Sequence, residues 1–238
     1  MAQLVSTQSP LQATRPLTVG VIPDAATLST WARMPRDQRE ATCDLIELRL
    51  DTLKMPADEV RDALVHGENA TPILLTARHP AEGGQGSVVA AERMAMIEPL
   101  LDLAILVDIE LRSAMEMKPI VEKAHAKGVK VMGSFHDFQA TPGDDVLRGA
   151  IGFAQPAGLD AVKIATFLNS QADLVRLMQI TGDQHRLRLS SMGMGPWGRI
   201  SRLVLAKAGS LLNYGFIGES NAPGQWPAAR LKELLAEL

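Results

Sequence analysis

Short apolar runs recur along this chain, and longer stretches with apolar residues at three- and four-residue spacing separate them. Runs of four to eight apolar residues bounded by turn signals read as buried strands, and a 3.6-residue period reads as amphipathic helix. Strands are predicted at Thr18–Ile22, Asp44–Asp51, Pro72–Arg78, Ala104–Leu111, Lys130–Phe138, Asp160–Phe167, His185–Gly193 and Leu212–Ile217. Between them the pattern predicts helices from Asp24 to Glu40, Pro56–Val65 with Gly67 as C-cap, Val88–Leu100, and Ser113–Lys127 closed by Gly128. Further helices are predicted from the turn at Thr141 to Gln155, and over Ser170–Ile180, Arg199–Ala208 and Ala228–Leu238. Eight such units in about 220 residues fit a (β/α)₈ TIM barrel, which needs roughly 200 to 250. A doubly wound open sheet is the other arrangement this alternation allows. None of the three glycine-rich segments places GxGxxG directly after a strand, and the count of eight favours the barrel. The expected organisation is a mobile tail over residues 1–16 and one barrel domain over residues 17–238.

Composition narrows the partners. The 238 residues are 46% hydrophobic, enough for one large core. The formal net charge is −3 and no long basic run occurs, so neither nucleic acid nor an anionic membrane is an expected partner. One cysteine, Cys43, rules out an internal disulfide or a cysteine-rich zinc site and suits a cytoplasmic location. No transmembrane run and no signal peptide are expected. No HxH or HExxH spacing points to a metal.

Candidate chemistry sits where a barrel would place it, at the carboxyl ends of strands and in the following loops. Lys163 lies inside the apolar run DAVKIATF. Burial favours the uncharged amine of a lysine, and such an amine can form a Schiff base with a ketone. Pairing with a carboxylate is the bland alternative. In the second strand, Glu47, Arg49 and Asp51 alternate with leucines, so the charges share one face and meet each other or a ligand. Asp108 and Glu110 share a face in the fourth strand, one of them expected to pair with Lys163 or Arg49. Arg78 ends the third strand, with Glu82 in the loop beyond it. His136 ends the strand before that of Lys163, near enough for both to serve one substrate, and imidazole is the group best suited to move a proton near neutral pH. Ser201 and Arg202 open the helix after the seventh strand, where barrels bind anions, and Arg202 suggests a carboxylate clamp. Asn221 and Gln225 offer neutral hydrogen-bonding groups after the eighth strand.

Six motif groups occur in order: ELRLD (47–51), TAR with EGG (76–84), GSFHDF with TP (133–142), VKIA (162–165), SMG with GRISR (191–202) and APGQ (222–225). Together they resemble type I 3-dehydroquinate dehydratase, over nearly the whole domain. The resemblance implies a (β/α)₈ barrel, usually a homodimer, acting in the shikimate route or in quinate breakdown without metal or organic cofactor. It implies that Lys163 forms an imine with 3-dehydroquinate, that His136 is the general acid and base, and that Glu82 tunes that histidine. Glu47, Arg49 and Arg78 would hold ring hydroxyls, and Arg202 and Gln225 the carboxylate end. One departure stands out: Asn221 occupies the place of a serine before APGQ and alters the fit of that loop. Two other readings stay open here. Another Schiff-base lyase or aldolase would share the lysine and the fold. A binding protein with lost or weak catalysis would share the pocket.

Overall fold

The computed structural model describes residues 9–66, 71–218 and 224–238, with the side chain of His66 outside that set; the Gly67 cap and Asn221 also fall outside it. The chain runs β1 (Leu17–Ile22), α1 (Ala25–Arg33), α2 (Arg36–Thr42), β2 (Leu45–Arg49), α3 (Leu50–Leu53), α4 (Ala57–His66) and β3 (Ile73–Thr76). It continues with α5 (Ala90–Ile97), β4 (Leu106–Glu110), α6 (Lys118–Ala126), β5 (Lys130–Asp137), α7 (Asp144–Ala154), β6 (Ala161–Phe167) and α8 (Gln171–Gly182). It ends with β7 (Arg188–Met194), α9 (Gly198–Ala208), β8 (Leu212–Phe216) and α10 (Ala228–Ala236). All strand pairs are parallel, in the order β7-β6-β5-β4-β3-β2-β1-β8, with helices between the strands, as the eight-fold alternation predicts.

The period-two pattern sorts each strand into two faces. Val19, Leu45, Leu74, Leu106, Met132, Ala161 and Tyr214 pack in the barrel interior. Ile46, Leu48, Leu75, Val107, Ile109, Val162 and Ile164 pack outward in the layer shared with the helices. Continuing the interior set by two residues along each strand lands on Glu47, Thr76, Asp108, Ser134 and Lys163. The floor of the barrel is therefore apolar and the next layer is charged. The sequence that looks like a hydrophobic strand interrupted by a lysine is one residue per layer of a stacked interior.

Ladder pairing leaves β7 and β8 as the ends of the sheet, and the barrel is nearly closed. Side chains and single backbone bonds bridge the seam. Leu211 N–H donates to Leu189 O at 2.9 Å, and Leu212 N–H donates to Ser190 Oγ at 3.0 Å. Cys43 fills space beside Gly20, as expected for a core residue. At the amino end of the barrel, residues 9–16 depart from the expected tail. Ser9 caps a short turn at Pro10–Gln12, Pro10 is buried, and Leu11 and Ala13 pack on the interior cluster. Arg15 pairs with Asp44 at 2.8 Å. These residues close the bottom of the barrel, a role that a short sequence without periodicity does not announce.

Candidate active site

Lys163 comes from the middle of β6 and His136 from the end of β5. The register pairs Lys163 with Ser134 and His136 with Ala165, so His136 stands one inward layer higher. The long lysine chain covers that step, and both side chains line one pocket of about 420 Å³ at the carboxyl end of the barrel. Glu47, Arg49, Arg78, Glu82, Arg202 and Gln225 line the same pocket. The described residues to which the resemblance gives a catalytic or substrate-binding role thus converge there, whereas Asp51, Asp108, Glu110 and Ser201 do not line the pocket.

Lys163 is 4% exposed. Its Nζ lies 3.2 Å from Asp108 Oδ2, 3.8 Å from Glu47 Oε1 and 3.9 Å from the centre of the Tyr214 ring. The expected partner among the acids of β4 is Asp108. At an effective dielectric near 20, a pair at that separation attracts by about 5 kcal/mol, and desolvating each ion costs several kcal/mol. The two nearly offset, so the contacts fix where the nitrogen sits more than they stabilise the fold.

Asp108 also takes both arms of Arg78, at 3.0 and 2.8 Å. The same guanidinium reaches Glu110 Oε1 at 3.0 Å and Ser134 Oγ. Burial beside Arg78 and Lys163 holds the Asp108 carboxyl far below its usual range, because the neighbouring cations outweigh desolvation. Arg78 was expected to grip substrate hydroxyls. It faces the pocket, and its N–H groups are engaged by these acids, so its main visible work is to hold the carboxylate that holds Lys163. Glu110 in turn binds Arg93 of α5 at 2.6 Å, a partner the sequence pattern does not single out. Arg49 is clamped by Asp51, Nε to Oδ1 at 3.0 Å and Nη2 to Oδ2 at 2.9 Å, and remains partly open to the pocket. Glu47 accepts from Thr76 Oγ1 at 2.7 Å.

The loop after β3 brings Glu82 to His136. Gly83 adopts φ +83°, which L side chains rarely adopt, and a Cβ on Gly84 would lie 2.0 Å from Arg78 O. The two glycines let the turn fold back on the strand end. Glu82 Oε2 accepts the His136 backbone N–H at 3.0 Å and lies 2.9 Å from His136 Nδ1. An oxygen already receiving one N–H is best matched by a second donor, so Nδ1 carries the hydrogen and Nε2 keeps its lone pair. Burial, with Arg78 and Lys163 nearby, drives the His136 pKa well below 6.5. Burial pushes the Glu82 carboxyl up to about 7, against the pull of Arg78. The imidazole is consequently neutral at neutral pH and able to act as a base. Phe138 stacks on it with ring centres 6.2 Å apart.

Arg202 lies at the top of the β7–β8 seam, 2% exposed. Nε donates to Tyr214 O at 2.9 Å, and Nη1 donates to Gly193 O, Gly198 O and Gly224 O at 3.0, 2.8 and 2.9 Å. Two of these carbonyls belong to strands that lack a ladder partner at the seam. No carboxylate pairs with Arg202 among the described residues, and burial alone lowers its pKa to about 10. A buried cation with carbonyls on one side and a pocket on the other suits an anion. Ser201 is structural: it accepts Gly193 N–H at 2.9 Å and donates to Gly198 O at 2.8 Å. Gln225 lines the pocket with its side-chain oxygen unpartnered among the described residues. His79, His125 and His185 bond Ala81 N–H, Asp160 and Ile180 O and play no part in the pocket lining. Met192, Met194 and Tyr214 are lining residues that the sequence reading passes over; period-two counting from Lys163's neighbours would have turned them inward.

Residues 26–238 match the sequence model of the family described as Type I 3-dehydroquinase. A 3-dehydroquinate dehydratase from Klebsiella pneumoniae (strain 342) is 33% identical over 215 residues, covering 82% of this chain and 83% of its own length. Among solved structures, 3-dehydroquinate dehydratase from Geobacillus kaustophilus HTA426 superposes with a TM-score of 0.84 at 26% identity, covering 96% of this chain and 93% of that one. The type I enzyme of Clostridium difficile, solved with covalently modified comenic acid, gives a TM-score of 0.81 at 25% identity and covers 95% of this chain and 93% of that one. With a lysine and a neutral histidine facing one pocket in a parallel barrel, and with the motifs matched over almost its full length, the chain belongs to the type I 3-dehydroquinase family.

Proposed function

We infer that this chain dehydrates 3-dehydroquinate to 3-dehydroshikimate, as a carbon–oxygen lyase acting through an imine on Lys163. The observation that carries the reading is the shared pocket of Lys163 Nζ and the His136 imidazole. The substrate is a ring bearing a ketone, a carboxylate and hydroxyls, with the departing hydroxyl two carbons from the ketone carbon. Lys163 condenses with the ketone. The protonated imine draws electrons from the adjacent carbon and acidifies its hydrogen. His136 removes that proton through Nε2, with Glu82 fixing the tautomer, and the resulting enamine expels the hydroxyl as His136 returns a proton. Water then hydrolyses the imine and frees the lysine. A dehydratase relative holding a covalently modified ligand supports this route. Following the absorbance of the conjugated enone after adding 3-dehydroquinate tests the reading; no rise with folded protein overturns it.

Arg202 and Gln225 hold the substrate carboxylate in this proposal, and Glu47, Arg49 and Arg78 face its hydroxyls. Asn221 joins them from a segment outside the described residues. Arg202→Ala is expected to raise KM by about thirtyfold or more, since a buried charge-assisted pair is worth roughly 2 to 5 kcal/mol. Arg202→Lys keeps the charge but loses the fork to the seam carbonyls and should fall between. An unchanged KM in both would make Arg202 a brace of the seam and nothing more.

We further propose a cytoplasmic homodimer. Among the described residues no helix is long and apolar enough to cross a membrane. Val146 and Phe153 of α7 and Val175 and Met178 of α8 expose apolar surface that supports pairing of two copies. Light scattering is expected to give twice the chain mass, and a monomer at micromolar concentration would reject the dimer.

A further inference from the structure

The sequence holds a single tyrosine, Tyr214, and none of the roles above uses its hydroxyl. The residue projects from β8 into the barrel interior, lines the pocket and is 3% exposed. Lys163 Nζ stands over its ring, 3.9 Å from the centre. The hydroxyl is buried and has no hydrogen-bond partner among the described residues. Burial and the charges of Glu47 and Asp108 push the phenol well above its ordinary pKa of 10.0, so it remains an O–H donor. A buried hydroxyl without a partner gives up hydrogen bonds to water for no return, and such groups are uncommon in folded proteins. Phenylalanine would keep the ring under the lysine without that cost. The donors around it are otherwise engaged: Arg78 on Asp108 and Glu110, Arg49 on Asp51, and His136 on Glu82. An unspent donor on the ring that the nucleophile covers is the arrangement expected of a group aimed at charge that develops only during reaction.

We propose that Tyr214 donates a hydrogen bond to the ketone oxygen of the substrate while Lys163 adds to its carbonyl carbon, an inference resting on the imine chemistry above. As the N–C bond forms, the carbonyl π pair moves onto oxygen. That oxygen is two bonds from Nζ and so stays beside the ring over which Nζ stands. Tyr214 shares its hydrogen with the developing oxyanion and keeps it. The oxygen takes the proton that the nitrogen sheds. It then takes one more from solvent and leaves as water as the C=N bond forms. Nothing is oxidised or reduced, and Tyr214 ends the step as it began.

Rapid quenching with borohydride during a single turnover reads the step directly, through adduct mass on Lys163. Tyr214→Phe is expected to slow adduct formation by about tenfold or more, since removing one oxyanion donor elsewhere costs a hundredfold or more. Its melting temperature should stay level or rise, because an unpaired buried hydroxyl is gone. Growth on 3-fluorotyrosine changes this one residue alone, strengthens the donor and should speed the same step; it also carries the test if the phenylalanine variant fails to fold. Equal adduct rates in parent, phenylalanine and fluorotyrosyl proteins would overturn the role of Tyr214 while leaving the imine reading intact. No adduct in the parent would overturn the imine reading itself.

Discussion

Lys163→Ala is expected to reduce turnover of 3-dehydroquinate to background, a loss of about ten-thousandfold or more, equivalent to at least roughly 5.5 kcal/mol at the transition state. The size follows from what the imine supplies. Without it, His136 must take a weakly acidic proton beside an ordinary ketone, whose neutral carbonyl holds the electron pair as an enolate far less well than a protonated imine holds it as a neutral enamine. Lys163 is the one lysine among the described residues lining the pocket, so no neighbour can take its place. The variant should still fold. Asp108 keeps its two bonds from Arg78, and Glu47 keeps Thr76, so neither acid is left without a partner. The cost in stability should therefore fall below the roughly 3 to 5 kcal/mol typical of a buried pair broken outright. Borohydride with substrate is the decisive check: a stable mass increase on the parent and none on the variant. Equal labelling of both, or turnover surviving in the variant, would remove Lys163 from the mechanism.

Much of the fold is legible because a strand buried on both faces and a helix buried on one leave different periods in the sequence. Boundaries were harder. The segment Asp24–Glu40 reads as one helix, yet the chain breaks at Met34, which takes an extended ψ of 134° before Pro35. Proline disfavours helical backbone in the residue before it, so this break was written in the sequence. The second strand reads to Asp51, but it ends at Arg49, and Leu50 begins a one-turn helix. Asp51 consequently leaves the strand face and turns back to clamp Arg49. Alternation alone cannot show that reversal, because the charges still fall at every second position.

The site was legible in membership more than in arrangement. Period-two counting predicts that Lys163, Asp108 and Glu47 share the interior, and they do. It cannot say which acid meets which base, since that depends on register between strands distant in sequence. Register is what sets Asp108 beside both Arg78 and Lys163, and lifts His136 one layer above the lysine. Arg202 shows the same limit differently. Its place as a candidate anion clamp came from the helix after β7, but four backbone carbonyls fix its guanidinium, and two of them exist as free acceptors only because the barrel does not fully close.

His136→Ala separates the two halves of the reaction. The imine should still form, because Lys163 and its acids remain in place, while proton removal from the adjacent carbon slows by about a hundredfold to ten-thousandfold. An intermediate made at one rate and consumed far more slowly accumulates, so borohydride should trap a larger fraction of the variant than of the parent at steady state. A merely structural histidine would lower adduct and turnover together, and that outcome would send the search for the base elsewhere. The parent's pH profile gives a second reading of the same residue. A base must be unprotonated to act, and burial beside two cations drives the His136 pKa well below 6.5. Lowering the pH from neutrality therefore leaves the imidazole free until the medium is more acidic than an ordinary histidine requires. Glu82 can gain its proton near 7 on the oxygen away from Nδ1 without taking the lone pair of Nε2. The acid limb of kcat/KM should accordingly fall below pH 6.5, and it should vanish from the residual activity of His136→Ala. A limb centred above 6.5, unchanged in the variant, would belong to a different group.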